Sequence, residues 1–160
     1  MKQASDFLGS RQALATVTEA GPDNLNRNIE MVASLQKQVR RSSRYERSLQ
    51  VLRAAKETAG GMLTKSGIML GFGASWKELI HTMADLRGIG CDILTIGQYL
   101  RLSTQNFPLM KHYAPSEFAE LKRIGADMGF RHVESGPLVR SSYHAERQVR
   151  PARLMNSEAM

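Results

Sequence analysis

Five hydrogen-bonding side chains follow one another near the end of this 160-residue chain, in the stretch SGPLVRSSYHAE at residues 135–146. They are Arg140, Ser141, Ser142, Tyr143 and His144. Guanidinium, hydroxyl and imidazole groups can bind anions, ligate a metal or move protons. Ordinary surface sequence seldom concentrates them so strongly, but composition alone does not choose among these chemistries.

A glycine turn at the end of TKSGIMLGFG, residues 64–73, is the second stretch that could contact a ligand. Gly71 and Gly73 lack a side chain, which lets the backbone approach a bound molecule closely. The turn is not a dinucleotide-binding fingerprint because the third glycine of that motif is absent. An ordinary tight turn explains the same spacing, so these glycines alone identify no ligand.

The segments around this turn predict how it is positioned. A short apolar run predicts a strand at 64–71, and Ser75, followed three residues later by a glutamate, predicts a capped helix. A second apolar run predicts a strand at 92–98, so the unit is βαβ with parallel strands and a right-handed crossover. Ligands of such sheets bind beyond the carboxyl ends of the strands, which places residues 71–74 and 98–101 on the functional rim.

The rest of the chain continues this alternation of helices and strands. Helices are predicted at 11–20 after a Ser10 cap, at 32–39, after Ser43, and from Pro115 to a stop at Gly129. Strands are predicted at 24–30 and at 131–134. Three or four alternations of strand and helix indicate an α/β sheet or part of a barrel.

Composition limits the class of protein and its surroundings. With 42% hydrophobic residues the chain is expected to be globular. A single cysteine, Cys91, excludes an intramolecular disulfide and favours a reducing compartment. No apolar run approaches membrane-spanning length and no signal peptide is visible, so a cytoplasmic protein that does not bind membranes is expected.

The formal net charge of +7 would suit an acidic partner or nucleic acid. The basic residues form two groups: Lys37, Arg40, Arg41, Arg44 and Arg47, and then Arg140, Arg147, Arg150 and Arg153. Solvated helix faces and a charged tail explain them equally well. Nucleic acid is not expected as a partner because the groups contain few aromatic side chains on which bases could stack.

Four segments resemble, in this order and spacing, the C-terminal part of the lipoyl synthase family. They are NLNRNIE, TKSGIMLGFG, DILTIGQYL and GPLVRSSYHAE. The resemblance runs from about Asp6 to Gln148. It implies an α/β fold, a partial (β/α) barrel of the radical S-adenosylmethionine type with parallel strands and with the N-terminal strands missing. Residues 1–150 would form this part of the barrel, and residues 151–160 a flexible tail.

The resemblance also implies a reaction and its cofactors. The family inserts two sulfur atoms into a protein-bound octanoyl chain, at C6 and C8, and so makes lipoyl groups. It uses S-adenosylmethionine and two [4Fe-4S] clusters, of which the auxiliary cluster supplies the sulfur. Implied partners are octanoylated lipoyl carrier domains or the glycine cleavage H protein, and an electron donor such as ferredoxin or flavodoxin.

Individual site residues follow from the match of motifs. Ser142 matches the serine that ligates the auxiliary cluster, and Arg140 beside it would position substrate or cluster. The S-adenosylmethionine contacts implied are Asn28, Glu30, Gly71 and Gly73, with Gly67 and Met69 on the adenine-side strand. The sequence departs from the family pattern at Arg27, Met31, Ala74, Leu102 and Thr104.

The cysteine motifs of both clusters are expected upstream of residue 1. The chain is therefore predicted to be the C-terminal portion of a lipoyl synthase and to be inactive alone, because one cysteine cannot hold a four-iron cluster. A non-catalytic module that binds the lipoyl carrier domain is the alternative.

Overall fold

The computed structural model describes residues 2–3, 11–39, 45–58 and 61–141. Within them five parallel strands form one sheet in the order β1-β2-β3-β4-β5. The strands are β1 Lys2–Gln3, β2 Asn24–Asn26, β3 Leu63–Leu70, β4 Ile93–Gln98 and β5 His132–Gly136. The helices are α1 Arg11–Glu19, α2 Ala33–Val39, α3 Tyr45–Thr58, α4 Trp76–Gly88 and α5 Pro115–Asp127. Strands that are consecutive in the chain are neighbours in the sheet and are joined by helices, which is the arrangement of a partial (β/α) barrel.

The central βαβ unit agrees with the sequence prediction to within about a residue at each end. Strands β3 and β4 pair in parallel from Lys65 opposite Ile93 to Leu70 opposite Gln98. Ser75 caps α4 in a full capping box, since its hydroxyl accepts from the Glu78 N–H and its own N–H donates to the Glu78 carboxylate. None of the described helices is long and apolar enough to span a bilayer.

Two of the predicted strands have different bounds. The strand expected at 24–30 ends at Asn26, and the chain returns to β3 only as a single bridge between Glu30 and Ile68. From Asn26 opposite Lys65 to Glu30 opposite Ile68 the chain advances four residues against three of β3, so one extra residue interrupts the regular pairing, and Glu30 itself takes a φ of 70° in the left-handed region. The strand expected at 131–134 begins at His132 and continues to Gly136. The predicted caps Ser10 and Ser43 and the tail 151–160 lie outside the described residues.

The two faces of the sheet differ in chemistry because successive side chains of a strand point to opposite sides. Leu25, Ile68, Leu94 and Ile96 pack against the helices and form most of the core with residues such as Leu79 and Phe118. On the other face, the first residues of β3 and β4, Leu63 and Ile93, form a second hydrophobic cluster of two residues. Polar residues and glycines then follow toward the carboxyl ends: Asn24, Asn26, Lys65, Gly67, Thr95 and Gly97. This polar face positions the candidate site.

Candidate functional site

A cavity of about 110 Å³ opens on the polar face near the carboxyl ends of β3 and β4. Four separate segments line it: the turn after β2, the strands β3 and β4, and the residues that follow β5. Its polar or backbone-exposing members include Asn28, Glu30, Gly67, Thr95, Gly97 and Arg140. Residues more than a hundred positions apart in the chain therefore meet at one place, which is typical of a binding site in a parallel α/β sheet.

Two glycines make this cavity possible. A Cβ atom on Gly67 would lie 2.9 Å from Thr95 Oγ1 and 3.0 Å from Asn28 Oδ1, which is closer than ordinary contact. A Cβ atom on Gly97 would overlap the carbonyl oxygen of Val139. Neither glycine has a positive φ, so both are needed for space and not for backbone conformation.

Asn28 and Glu30 give the cavity its polar character. The Asn28 Oδ1 atom is buried and has no hydrogen-bond partner among the described residues. Glu30 holds its unusual φ of 70° because its backbone is fixed on both sides: its N–H donates to Gly67 O at 2.8 Å and its C=O accepts from Met69 N at 2.7 Å. A buried acceptor that lacks a donor and a non-glycine residue in the left-handed region are both features of ligand sites.

Lys65 lies on β3 two residues before Gly67 and therefore on the same face of the sheet. Its side chain is buried, with 1% of the residue exposed. Its ammonium donates a hydrogen bond to the carbonyl oxygen of Ser141, and burial lowers its pKa from 10.5 to about 8. Sequence reasoning missed this residue, although a lysine inside the buried strand TKSGIML was a signal.

A further polar pair missed by sequence reasoning is on β5. His132 Nε2 lies 3.4 Å from Glu134 Oε2. Burial lowers the pKa of the His132 imidazole, and the nearby Glu134 carboxylate opposes this shift. The pair extends the polar surface of the sheet to its last strand.

Gly71 and Gly73 do not line the cavity. Both have positive φ, 119° and 99°, and they carry the chain out of β3 beneath the loop that follows β4. The Gly71 carbonyl accepts from Met110 N, and a Cβ on Gly71 would press on the Gln98 amide and on Leu109. Their implied contact with S-adenosylmethionine stays a prediction.

Of the C-terminal residues of the predicted site, some line the cavity and the others lie outside the described part of the chain. Arg140 is exposed, lines the cavity and donates through Nη1 to the carbonyl of Val139, and Ser141 lines the cavity beside it. Ser142, Tyr143 and His144 lie outside the described residues. The structure thus brings Asn28, Glu30 and Arg140 together, while the proposed metal ligand Ser142 follows directly in sequence.

The remaining histidine and cysteine side chains lie apart from the cavity-lining residues. His81 is exposed on α4, 3.6 Å from Asp85, and His112 is exposed in the loop before α5. Cys91 is buried at the amino end of β4, where burial raises the pKa of its thiol to about 12. Within the described ranges no three His, Cys, Asp or Glu side chains are grouped as a metal would require.

The cavity suits part of S-adenosylmethionine better than it suits an iron–sulfur cluster. The unpaired Asn28 acceptor and the Glu30 carboxylate can receive N–H or O–H donors, and Gly67 leaves the strand open to a ligand. Its volume is below the 300–1,000 Å³ or so of a typical small-molecule pocket, so it can hold only a portion of such a ligand. The described residues do not supply the thiolates of a cluster.

The fold defines the class of this protein as a partial (β/α) barrel. It superposes on the crystal structure of methylornithine synthase (PylB) with a TM-score of 0.60, over 94% of this chain and 55% of that one. The two are 14% identical in sequence, so this likeness concerns the fold alone.

No family model matches the chain, but its sequence is similar to those of curated lipoyl synthases. The chain is 55% identical over 148 residues to the lipoyl synthase of Rubrobacter xylanophilus, and 51% identical over 155 residues to that of Bacillus mycoides. These matches cover 92% and 97% of this chain, and 46% and 52% of the relatives. The chain is a homologue of the lipoyl synthases, and it spans about half the length of the curated relatives it matches.

Proposed function

We propose that this chain forms the C-terminal half of a lipoyl synthase, which inserts sulfur at C6 and C8 of a protein-bound octanoyl group. The observation that supports it most is the cavity where Asn28, Glu30 and the residues before Ser142 meet. These are the positions that the family motifs mark for S-adenosylmethionine and for the auxiliary cluster. The identity of 55% to a lipoyl synthase adds to this support.

Asn28 and Glu30 would bind the amino group or the ribose hydroxyls of S-adenosylmethionine. The side-chain amide oxygen of Asn28, Oδ1, is buried without a partner in the described part of the chain. A ligand donor would remove the cost of leaving this oxygen unpaired. The Glu30 side chain is aimed by a backbone that β3 fixes on both sides. When bound, S-adenosylmethionine supplies the radical that activates unreactive C–H bonds.

Ser142 would contribute an oxygen ligand to the auxiliary [4Fe-4S] cluster, with exposed Arg140 placed to contact substrate. The residues described here do not complete such a site. Cys91 is a single, buried thiol with its pKa raised to about 12, so it is poorly suited to ligate iron. We therefore expect the chain to be inactive until another stretch of polypeptide supplies the cluster cysteines.

The octanoyl group would arrive on a lipoyl carrier domain or an H protein. Four large apolar side chains are exposed on the loops beyond β4 and β5: Leu102 at 89%, Leu138 at 77%, Met110 at 62% and Leu100 at 44%. Basic Arg101 and Lys111 lie in the same loops, and the net charge is +7. An acidic carrier with an apolar arm would complement such a rim. The same rim supports the second candidate, a module that binds the carrier without catalysis.

A chimera tests the proposal. The N-terminal half of the Rubrobacter xylanophilus lipoyl synthase, joined to this chain, should convert an octanoylated carrier domain to its lipoyl form after anaerobic reconstitution with iron and sulfide. Mass spectrometry of the carrier measures the product, and each half alone serves as the control. A chimera that carries clusters and binds the carrier, yet yields no product, would favour the binding module instead.

A further inference from the structure

The backbone that follows β5 touches the polar face of the sheet at two points. The carbonyl of Val139 lies against Gly97 of β4, and the carbonyl of Ser141 accepts the hydrogen bond from Lys65 of β3. We propose that Lys65 and Gly97 are positioning residues that hold the backbone of residues 139–141 on the sheet and thereby fix the start of the segment that carries Ser142. We call these two contacts, Lys65 with the Ser141 carbonyl and Gly97 with the Val139 carbonyl, the clasp. The function of the segment that carries Ser142 rests on the proposed lipoyl synthase activity, whereas the existence of the clasp does not.

The burial of the Lys65 ammonium indicates that a hydrogen bond holds it in place. Removing an ammonium from water is costly unless the group is hydrogen-bonded, and the lowered pKa of this lysine shows that cost. A methionine would fill similar space without this desolvation cost. The lysine instead donates to the backbone carbonyl of Ser141, which lies 76 residues further along the sequence. A charged donor makes a stronger hydrogen bond than a neutral one, which suits the fixing of a chain segment.

The glycine at 97 provides the second contact. Any side chain there would overlap the Val139 carbonyl, so the segment can lie on β4 only because the position is glycine. A turn completes the geometry, since Val139 N–H donates to Gly136 O at 3.1 Å and the Val139 side chain is buried. Residues 136–141 are thus held by a turn, a close approach and a charged hydrogen bond in succession.

Lys56 shows what a lysine does elsewhere in the same fold. Its ammonium also donates to a backbone carbonyl, that of Met62 at 3.3 Å, but it is paired with the Asp92 carboxylate at 2.8 Å. That pair joins α3 to the start of β4, away from the residues after β5. Lys56→Met is therefore the matched control for Lys65→Met. Gly88→Ala is the matched control for Gly97→Ala, because a Cβ at Gly88 meets nothing within 4 Å.

Trypsin reports on the clasp directly because it cuts after the exposed Arg140. In the folded 160-residue chain, Lys65→Met should speed cleavage at the bond between Arg140 and Ser141 by about ten- to a hundredfold, the factor for losing a hydrogen bond to a charged donor. Gly97→Ala should do the same. Lys56→Met and Gly88→Ala should leave this cleavage rate unchanged, even where Lys56→Met lowers Tm. Fragments are identified by mass, which separates this bond from sites further on.

Equal cleavage rates in all folded variants and the unmodified chain would overturn the clasp, as would an equal increase in the controls. The unmodified chain gives a measurement that does not depend on variants folding. Under native conditions an amine-acetylating reagent should modify Lys65 far more slowly than the exposed Lys77, and equal rates would also overturn it.

The role of the clasp in catalysis has a separate readout in the chimera. Lys65→Met, at a residue outside the cavity lining, should keep S-adenosylmethionine cleavage and lower the lipoyl product. Full product from Lys65→Met in an active chimera would remove its positioning role in catalysis while the proposed function stands. An unmodified chimera without activity would instead remove the proposed function, and the cleavage rates would still decide the clasp.

Discussion

Two buried polar groups at opposite ends of the central strands β3 and β4, Asp92 and Asn28, are in opposite states. At the amino end the Asp92 carboxylate accepts from Thr64 N at 2.8 Å and from Lys56 Nζ at 2.8 Å, and it pairs with Arg131 Nε at 3.1 Å. At the carboxyl end the Asn28 Oδ1 atom has no partner in the described structure, and Glu30 is held at a φ of 70°. The first cluster is complete in itself, and the second is one that a ligand would complete.

This difference distinguishes a closed structural cluster from an open candidate site, although the buried Asn24 Oδ1 atom near the amino end also has no hydrogen-bond partner in the described structure. A fully bonded buried network stabilises a unique fold, whereas an unsatisfied acceptor lowers stability unless something binds there. The glycines follow the same division. Gly67 and Gly97 make room for other atoms at the carboxyl end, whereas Gly90 at the amino end takes a φ of 83° only to turn the chain after α4.

Removal of the Asp92 carboxylate should produce the largest loss of stability. Asp92→Ala leaves Lys56 and Arg131 without their shared carboxylate, and breaking a buried pair in this way costs about 3–5 kcal/mol. Urea unfolding measures the change. Asp127→Ala, which breaks the exposed pair with Arg123, should cost less than about 1 kcal/mol. Comparable losses from the two substitutions would contradict a structural role for the amino-end cluster.

The Cys91 thiol should make stability depend on alkaline pH. Its folded pKa of about 12 is above the ordinary 9.0, so between these values the folded state holds a proton that the unfolded state loses. The contribution is complete below pH 9 and declines as pH rises toward 12. The unfolding free energies of the unmodified chain and Cys91→Ala should therefore differ by a constant below pH 9. Above pH 9 the unfolding free energy of the unmodified chain should fall relative to that of Cys91→Ala. A constant difference at pH 8 and pH 10.5 would show that the thiol is not buried as described.

A methyl group at position 67 should affect binding more than folding. Gly67→Ala would push on the ends of two side chains, Thr95 and Asn28, and so displace the acceptor proposed for S-adenosylmethionine. We expect the affinity of the chimera for S-adenosylmethionine to fall by about tenfold or more, since one lost hydrogen bond of about 1.4 kcal/mol has that effect. Calorimetric titration measures it, with Gly88→Ala as the control. Unchanged affinity in a folded Gly67→Ala chimera would place the ligand elsewhere.

Loss of the α4 cap should have the smallest effect. Ser75→Ala removes the acceptor for the Glu78 N–H and should cost about 1 kcal/mol. Hydrogen bonds from Ser34 and from Ser75 lower the pKa of Glu78 from 4.5 to about 2. The support from Glu78 is therefore present above about pH 4.5 and is lost as pH falls toward 2. Thermal unfolding at pH 7 and pH 3 checks both statements, and a cap loss equally large at the two pH values would contradict the second.

Local signals predicted the scaffold well. The strands near 64–71 and 92–98 and the capped start of α4 depend on neighbouring residues, and their apolar runs and cap spacing are visible in the sequence. The early end of β2 could not be predicted, because the extra residue between Asn26 and Glu30 is defined only by how each of them pairs with β3. Non-local pairing overrode a sequence that was otherwise compatible with a longer strand.

The site was only partly accessible from the sequence. Asn28, Glu30 and Arg140 came from motif resemblance, and the structure places all three at one cavity. The need for glycine at 97 is set by a carbonyl 42 positions later, and the partner of Lys65 is 76 positions later. No periodicity within a strand contains such information. Ser142 stays a prediction, since it lies outside the described residues.

The pair Ser141 and Ser142 tests the central claim most directly. Both are serines, and Ser141→Ala keeps the backbone carbonyl that Lys65 contacts. In the chimera with the Rubrobacter xylanophilus half, Ser142→Ala should retain S-adenosylmethionine cleavage and lose the lipoyl product, whereas Ser141→Ala should retain most of both. Mass spectrometry of the carrier domain gives the product yield. Equal lipoyl yields from Ser142→Ala and the unmodified chimera would contradict the claim that the carboxyl end of this sheet carries the sulfur-insertion site.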